Sequence, residues 1–142
     1  MATPMTRSRA QAGMVGRLVV VAFVLHWAWE ATHAVAFVES AGPFLFRLRH
    51  CLPMAATDAV WTLGLWALVG GLSASGRPTP RRLVALGILG ALTAILLERS
   101  ALAEHRWTYN ALMPVLPVLG VGLWPVLQMT AVPVVSAWLS RR

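Results

Sequence analysis

His26, Glu30 and His33 stand four and three residues apart. At 3.6 residues per turn, that spacing stacks all three on one face of a helix. Trp29 and Phe37 lie beside them. Asp58 and Trp61, three residues apart, share a face of a second helix. Farther along come Glu98, then Trp107 and Tyr109, and finally Gln128, one turn after Trp124. Carboxyl and imidazole groups give and take protons, and apolar surroundings favour the uncharged form of a carboxylic acid. The chemistry on offer is proton transfer. Glu30 is the expected acid, and a neighbouring carboxylate or imidazole the expected base. Tryptophan faces would stabilise a carbocation formed between the two events. The expected catalytic set is His26, Glu30, His33, Asp58 and Glu98. The expected walls of the substrate site are Trp29, Trp61, Trp107, Tyr109, Trp124 and Gln128.

The elements that carry these residues follow from composition. The chain has 142 residues, of which 58% are hydrophobic and 12% charged, and its mean hydropathy is +0.67. A soluble domain averages 45–50% apolar and about 25% charged, and one this small has too little interior to hide such a load. Disorder is excluded on the same ground. The remaining class is a single membrane domain. Four apolar stretches approach the ~20 residues that a helix needs to cross a bilayer: about 18–38, 54–72, 83–98 and 112–139. The last holds Pro114, Pro117, Pro125 and Pro133 as well as Gly120 and Gly122, so it is expected to bend or break. The expected fold is all-α, a polytopic four-helix membrane bundle without a second domain. Polar interruptions from His26 to His33 mark the first stretch as a retained span rather than a signal peptide.

All twelve basic residues are arginine, and the formal net charge is +7. Clustered beside apolar runs, arginines orient a membrane protein rather than bind nucleic acid. Eight fall on one side of the spans: Arg7, Arg9, Arg17, Arg77, Arg81, Arg82, Arg141 and Arg142. Four fall on the other: Arg47, Arg49, Arg99 and Arg106. The positive-inside rule then puts both termini in the cytoplasm, in a cell membrane of the bacterial inner-membrane kind. With that orientation every acid (Glu30, Glu39, Asp58, Glu98, Glu104) and every histidine (His26, His33, His50, His105) falls in the outer half. Ionisable groups are costly in lipid and face a bundle interior. A polar pocket open toward the outer side is expected, with a lipophilic substrate entering from the bilayer.

Blander roles are expected for other residues. Trp27, Trp66 and Trp138 read as interfacial belt residues. Glu39, Arg47, Arg49 and Glu104 read as solvated or surface-paired, and Glu98 has Arg99 and Arg106 as candidate partners. Cys51, the single cysteine, forms no intrachain disulfide. Two other function classes stay open. One is haem or metal binding, for which Glu30 and His33 form a single E-x-x-H pair where di-iron bundles need two. The other is a non-enzyme, either a proton-coupled carrier that works as a homo-oligomer or a subunit of a membrane complex. No cofactor is expected for the proton-transfer reading. The sequence lacks G-x-S-x-G, a P-loop and a dinucleotide fingerprint.

One family pattern fits these residues. His26-Trp27-Ala28-Trp29-Glu30 reads H-x-x-x-E in the first span, Asp58 opens the second, and Leu123-Trp124 precedes Pro125 in the last. This order resembles the emopamil-binding-protein-like (EXPERA-type) superfamily of four-helix membrane proteins, which includes sterol double-bond isomerases. The resemblance implies that His26, Glu30 and Asp58 shuttle a proton, with Asp58 standing where the family has Glu, and that Trp124 lines a cation site. It implies isomerisation of a sterol-like or other isoprenoid lipid. Membrane terpenoid cyclases follow similar logic.

Overall fold

The first helix runs long, from a polar, arginine-bearing start into the apolar run that begins at Leu18. In the computed structural model, which describes residues 4–40, 42–73 and 77–141 (side chains from residue 11), helix α1 spans Pro4–His33. A 3-10 turn at Ala34–Ala36 follows it. The short helix α2, Phe44–His50, meets α3, Leu52–Leu68, at a bend of 44° around Cys51. Helix α4 spans Pro80–Ala103, with Thr79 capping its start through its hydroxyl. Strands β1 (Val115–Leu116) and β2 (Val121–Gly122) form an antiparallel hairpin, in register Val115 to Gly122. Helix α5, Leu123–Leu139, closes the chain. Helix makes up 72% of the structure.

Two helical stretches, Gln11–Ala36 and Pro80–Ala103, are long and apolar enough to cross a membrane. At 1.5 Å per residue, α5 is only about 26 Å long, short of the ~30 Å hydrocarbon core. The expectation of a helix over 112–139 is corrected here. Residues before Leu123 fold as the hairpin, because Pro114 and Pro117 withhold amide hydrogens and Gly120 takes a left-handed φ of 67° at the turn. The other expected limits also shift: α1 ends at His33 rather than near 38, and α4 runs on to Ala103 past 98. Arg142 lies outside the described residues, as do the side chains of Arg7 and Arg9 and the turn residues 74–76.

The helices pack mainly as two pairs, α4 on α5 and α1 on α3, with α1 also against α5. The α4–α5 seam is close because Gly87, Gly90 and Ala94 line the buried face of α4. A Cβ at Gly90 would overlap the Met129 carbonyl. Pro133, four residues after Met129, has no N–H to offer that carbonyl. The glycine takes up the space where a helical bond is missing. Leu18, Leu65, Trp66, Leu86 and Met129 form the core toward the arginine-rich end. Trp66 is 1% exposed, so it is a core residue and not the expected belt residue; Gly71 folds against its ring. Large aliphatic side chains point outward on every long helix, among them Val20, Val60, Leu68, Ile88, Leu96 and Val135.

One end of the bundle collects the acids. There the Arg47 guanidinium donates to the Ala31 and Gly42 carbonyls at 3.1 and 2.6 Å, so it caps α1 rather than sitting in solvent. Trp27 Nε1 donates to the Leu48 carbonyl at 2.7 Å and pins α2 to α1. Helix α4 stops because His105 adopts a left-handed φ of 54°, while Arg106 N–H reaches back to the Ala101 carbonyl at 2.9 Å. That is a Schellman ending with histidine in the place usually taken by glycine. It turns the chain at once across the top of the bundle.

Candidate functional site

Helix α1 brings His26, Glu30 and His33 inward, as their spacing requires, and α3 sets Asp58 and Thr62 against them. From α5, Gln128 reaches into the gap. Its Nε2 lies 2.9 Å from His26 Nδ1, 2.9 Å from Glu30 Oε1 and 3.0 Å from Asp58 Oδ2. His26 Nδ1 is also 3.6 Å from Asp58 Oδ2, and its Nε2 is 3.0 Å from Thr62 Oγ1. His26, Thr62 and Gln128 are all buried. Five polar side chains from three helices thus form one connected network.

An amide nitrogen carries two hydrogens, and Gln128 Nε2 stands within hydrogen-bond distance of three side-chain atoms, two of them carboxylate oxygens. Turned by 180°, the Gln128 amide would present its oxygen to a protonated carboxyl instead.

The carboxyls of Glu30 and Asp58 face a cavity of about 420 Å³, within the range of sites for lipid-sized or drug-sized molecules. Met54, Trp61, Leu97, Pro125 and Met129 supply apolar wall. Glu98, which is buried, lines the cavity too. Tyr109 Oη and Trp107 Nε1 donate to Glu98 Oε2, the latter at 3.4 Å. Its expected ion pair with Arg99 or Arg106 does not form: Arg106 Nε pairs with Glu104 at 3.0 Å, and its guanidinium lies over Trp107 at 5.3 Å. His33 also lines the cavity, with its Nδ1 donating to the Trp29 carbonyl at 2.9 Å. That bond leaves Nε2 as the nitrogen free to act as acceptor.

The lid of the cavity is sewn from two loops. Val38 N–H donates to the Thr108 carbonyl at 2.9 Å, Asn110 N–H to the Ala36 carbonyl at 3.0 Å, and Asn110 Nδ2 to the Val35 carbonyl at 2.7 Å. Thr108 N–H donates to Glu39 at 3.0 Å and holds that carboxyl below its ordinary range. Glu39 is exposed and paired at the surface, as expected, and its partner is a backbone N–H of the lid. Tyr109 accepts from Gly122 N–H at 2.9 Å, so one phenol joins the lid, the start of α5 and Glu98. Burial and the adjacent Glu98 keep that phenol protonated well above the ordinary tyrosine range.

Of the expected walls, Trp61, Trp107 and Gln128 line the cavity. Trp29 and Trp124 are not among its lining residues. Trp29 keeps a buried indole N–H without a partner among the described residues, and Trp124 lies 36% exposed at the start of α5. Tyr109 acts one step back, through Glu98. Sequence reading passed over Thr62, although its i+4 spacing from Asp58 marked it, and also Arg106 at the cavity edge. Among the described residues no three metal-ligating side chains converge as a metal site. Comparison with family models, with curated proteins and with solved structures finds no match.

Proposed function

We propose that the chain is a four-helix integral membrane enzyme that isomerises or cyclises a lipophilic substrate of isoprenoid or sterol-like kind by proton transfer inside the bilayer. The observation that carries this reading is the connected Glu30–Asp58–Gln128–His26 network on the wall of an apolar cavity. Aliphatic side chains facing outward on all long helices support lipid as the surrounding solvent. The eight-to-four arginine balance supports cytoplasmic termini and a bacterial-type inner membrane.

The reaction needs no outside reagent. The proton held by Glu30 and Asp58 adds to a substrate double bond and leaves a carboxylate and a carbocation. The faces of Trp61 and Trp107 stabilise that cation. A carboxylate, either the donor pair or Glu98, then removes a proton from a neighbouring carbon, and a double bond forms at the new position. Where the pair itself is the base it ends as it began; where Glu98 is the base, the proton returns from Glu98 to the pair through water before the next turnover. His26, behind Gln128 and away from the cavity, is a positioning residue that keeps the amide and Asp58 aligned. The similarity of His26, Glu30 and Asp58 to the isomerase pattern agrees with this assignment, whereas Trp124 takes no part in it.

The test is lipid mass spectrometry on cells that make the wild-type protein or Glu30→Gln. The wild type should convert an isoprenoid lipid to an isomer of equal mass, and Glu30→Gln, expressed to the same level, should not. Full conversion by Glu30→Gln would remove Glu30 as the acid. Asp58→Asn is expected to lose activity as well, because it cannot share the proton.

A further inference from the structure

The opposite end of the bundle holds a second cavity, of about 660 Å³, between the C-terminal end of α3 and the start of α4. Arg77, Arg81 and Arg82 line it together with the aliphatic side chains of Leu68, Val69 and Leu89, of which Leu68 is exposed. Along α3 it lies about 15 Å from Asp58, at 1.5 Å per residue. It is therefore separate from the acid cavity.

Three features define what it would hold. First, its charge has no internal partner of opposite sign: all five acidic side chains of the chain are at the other end of the bundle. Second, its guanidinium groups are partly fixed in place. Arg82, half-buried, donates to the Arg77 carbonyl at 3.0 Å and to Ser73 Oγ at 3.2 Å, and it packs over Gly70, whose left-handed φ of 76° turns the chain there. Arg82 thereby links Ser73 and Arg77. Third, the lining joins three guanidinium groups to aliphatic side chains, which fits a ligand with an anionic head and a hydrocarbon tail. Guanidinium forks match phosphate oxygens in pairs. Basic pockets between helices at the cytoplasmic face suit anionic lipid head groups.

We infer that this cavity binds an anionic phospholipid, with the phosphate held by Arg77, Arg81 and Arg82 and an acyl chain lying along Leu68, Val69 and Leu89. The inference rests on the membrane reading of the chain and is independent of the chemistry proposed for the acid cavity. Lipid bound here would hold the arginine-rich end at the cytoplasmic leaflet.

The test uses the full chain in a neutral detergent. Binding of dihexanoyl phosphatidylglycerol, dihexanoyl phosphatidylcholine and inorganic phosphate is measured on the wild type and on the double variant Arg77→Gln, Arg81→Gln. Each arginine near an anionic lipid contributes about 1 kcal/mol, so Arg77 and Arg81 together should account for about 30-fold of the preference for phosphatidylglycerol over phosphatidylcholine. The double variant should show a preference about 30-fold lower than the wild type while keeping its helix content, and Glu30→Gln should keep the wild-type preference. Arg82 is left intact because it links Ser73 and Arg77. Equal binding of the two lipids by the wild type would overturn the proposal, whether or not the double variant folds. A preference unchanged in a folded double variant would also overturn it. Inorganic phosphate competing as well as the lipid would show a phosphate site and overturn the lipid assignment.

Discussion

Gln128 is the one residue that touches His26, Glu30 and Asp58 together. Leucine at 128 would keep the volume but leave buried His26 and the half-buried carboxyls of Glu30 and Asp58 without their common partner. A buried group left unpaired costs roughly 1–3 kcal/mol, so Gln128→Leu should lower stability by about 2 kcal/mol. Thermal unfolding in detergent measures this. Combined with Asp58→Asn, the double variant should lose less than the two single losses added; simple additivity would mean that the two side chains do not interact. Tyr109 carries a pH signature. Its phenol is held above the ordinary range by burial and by Glu98. An acid whose pKa rises on folding gives stability that is whole below its unfolded value, about 10, and drains away as pH climbs past it. The melting temperature should therefore fall above about pH 10, and Tyr109→Phe should flatten that fall. An unaltered slope in Tyr109→Phe would place the alkaline loss in another group.

The elements succeed or fail on their ends and seams. The left-handed backbone of His105 ends α4 and aims the lid over the cavity. A non-glycine residue pays roughly 1–2 kcal/mol for that conformation, so His105→Gly should raise stability by about 1 kcal/mol. A fall would mean that the imidazole makes a contact worth more than the strain. At the α4–α5 seam, Gly90→Val should separate the helices from Met129 and distort the cavity wall at Ala94 and Met129. A variant as stable as the wild type would refute the close approach. The face made by His26, Glu30 and His33 was legible in sequence because helical periodicity fixes it. So was the gathering of acids and histidines at one end, because span order fixes that. The hub was not: Gln128 stands 98 residues from Glu30 and 70 from Asp58, and no local pattern encodes a contact between helices. The hairpin before α5 was hidden because its residues are as apolar as a span. Trp66 was misplaced because composition alone does not separate a helix end facing lipid from one folded under a turn.

At the scale of the whole molecule the charge is divided lengthwise. Acids, histidines and the smaller cavity lie at one end, and Arg17, Arg77, Arg81, Arg82 and Arg141 at the other. Arg17 reaches the Ser140 carbonyl at 3.4 Å, which ties the first and last helices together at the basic end. Reporter fusions at both termini should read cytoplasmic, and a tag in the loop before α2 should read external; the reverse pattern would invert the orientation. The central claim is that the carboxyl pair on the cavity wall gives its proton to a lipid. Membranes containing the wild-type protein, transferred to heavy water, test it most directly by mass spectrometry of the extracted lipids. The account predicts an isoprenoid isomer carrying one added deuterium, formed with the wild type and absent with Glu30→Gln. The same labelled lipid in equal amount from both membranes, or from neither, would contradict it.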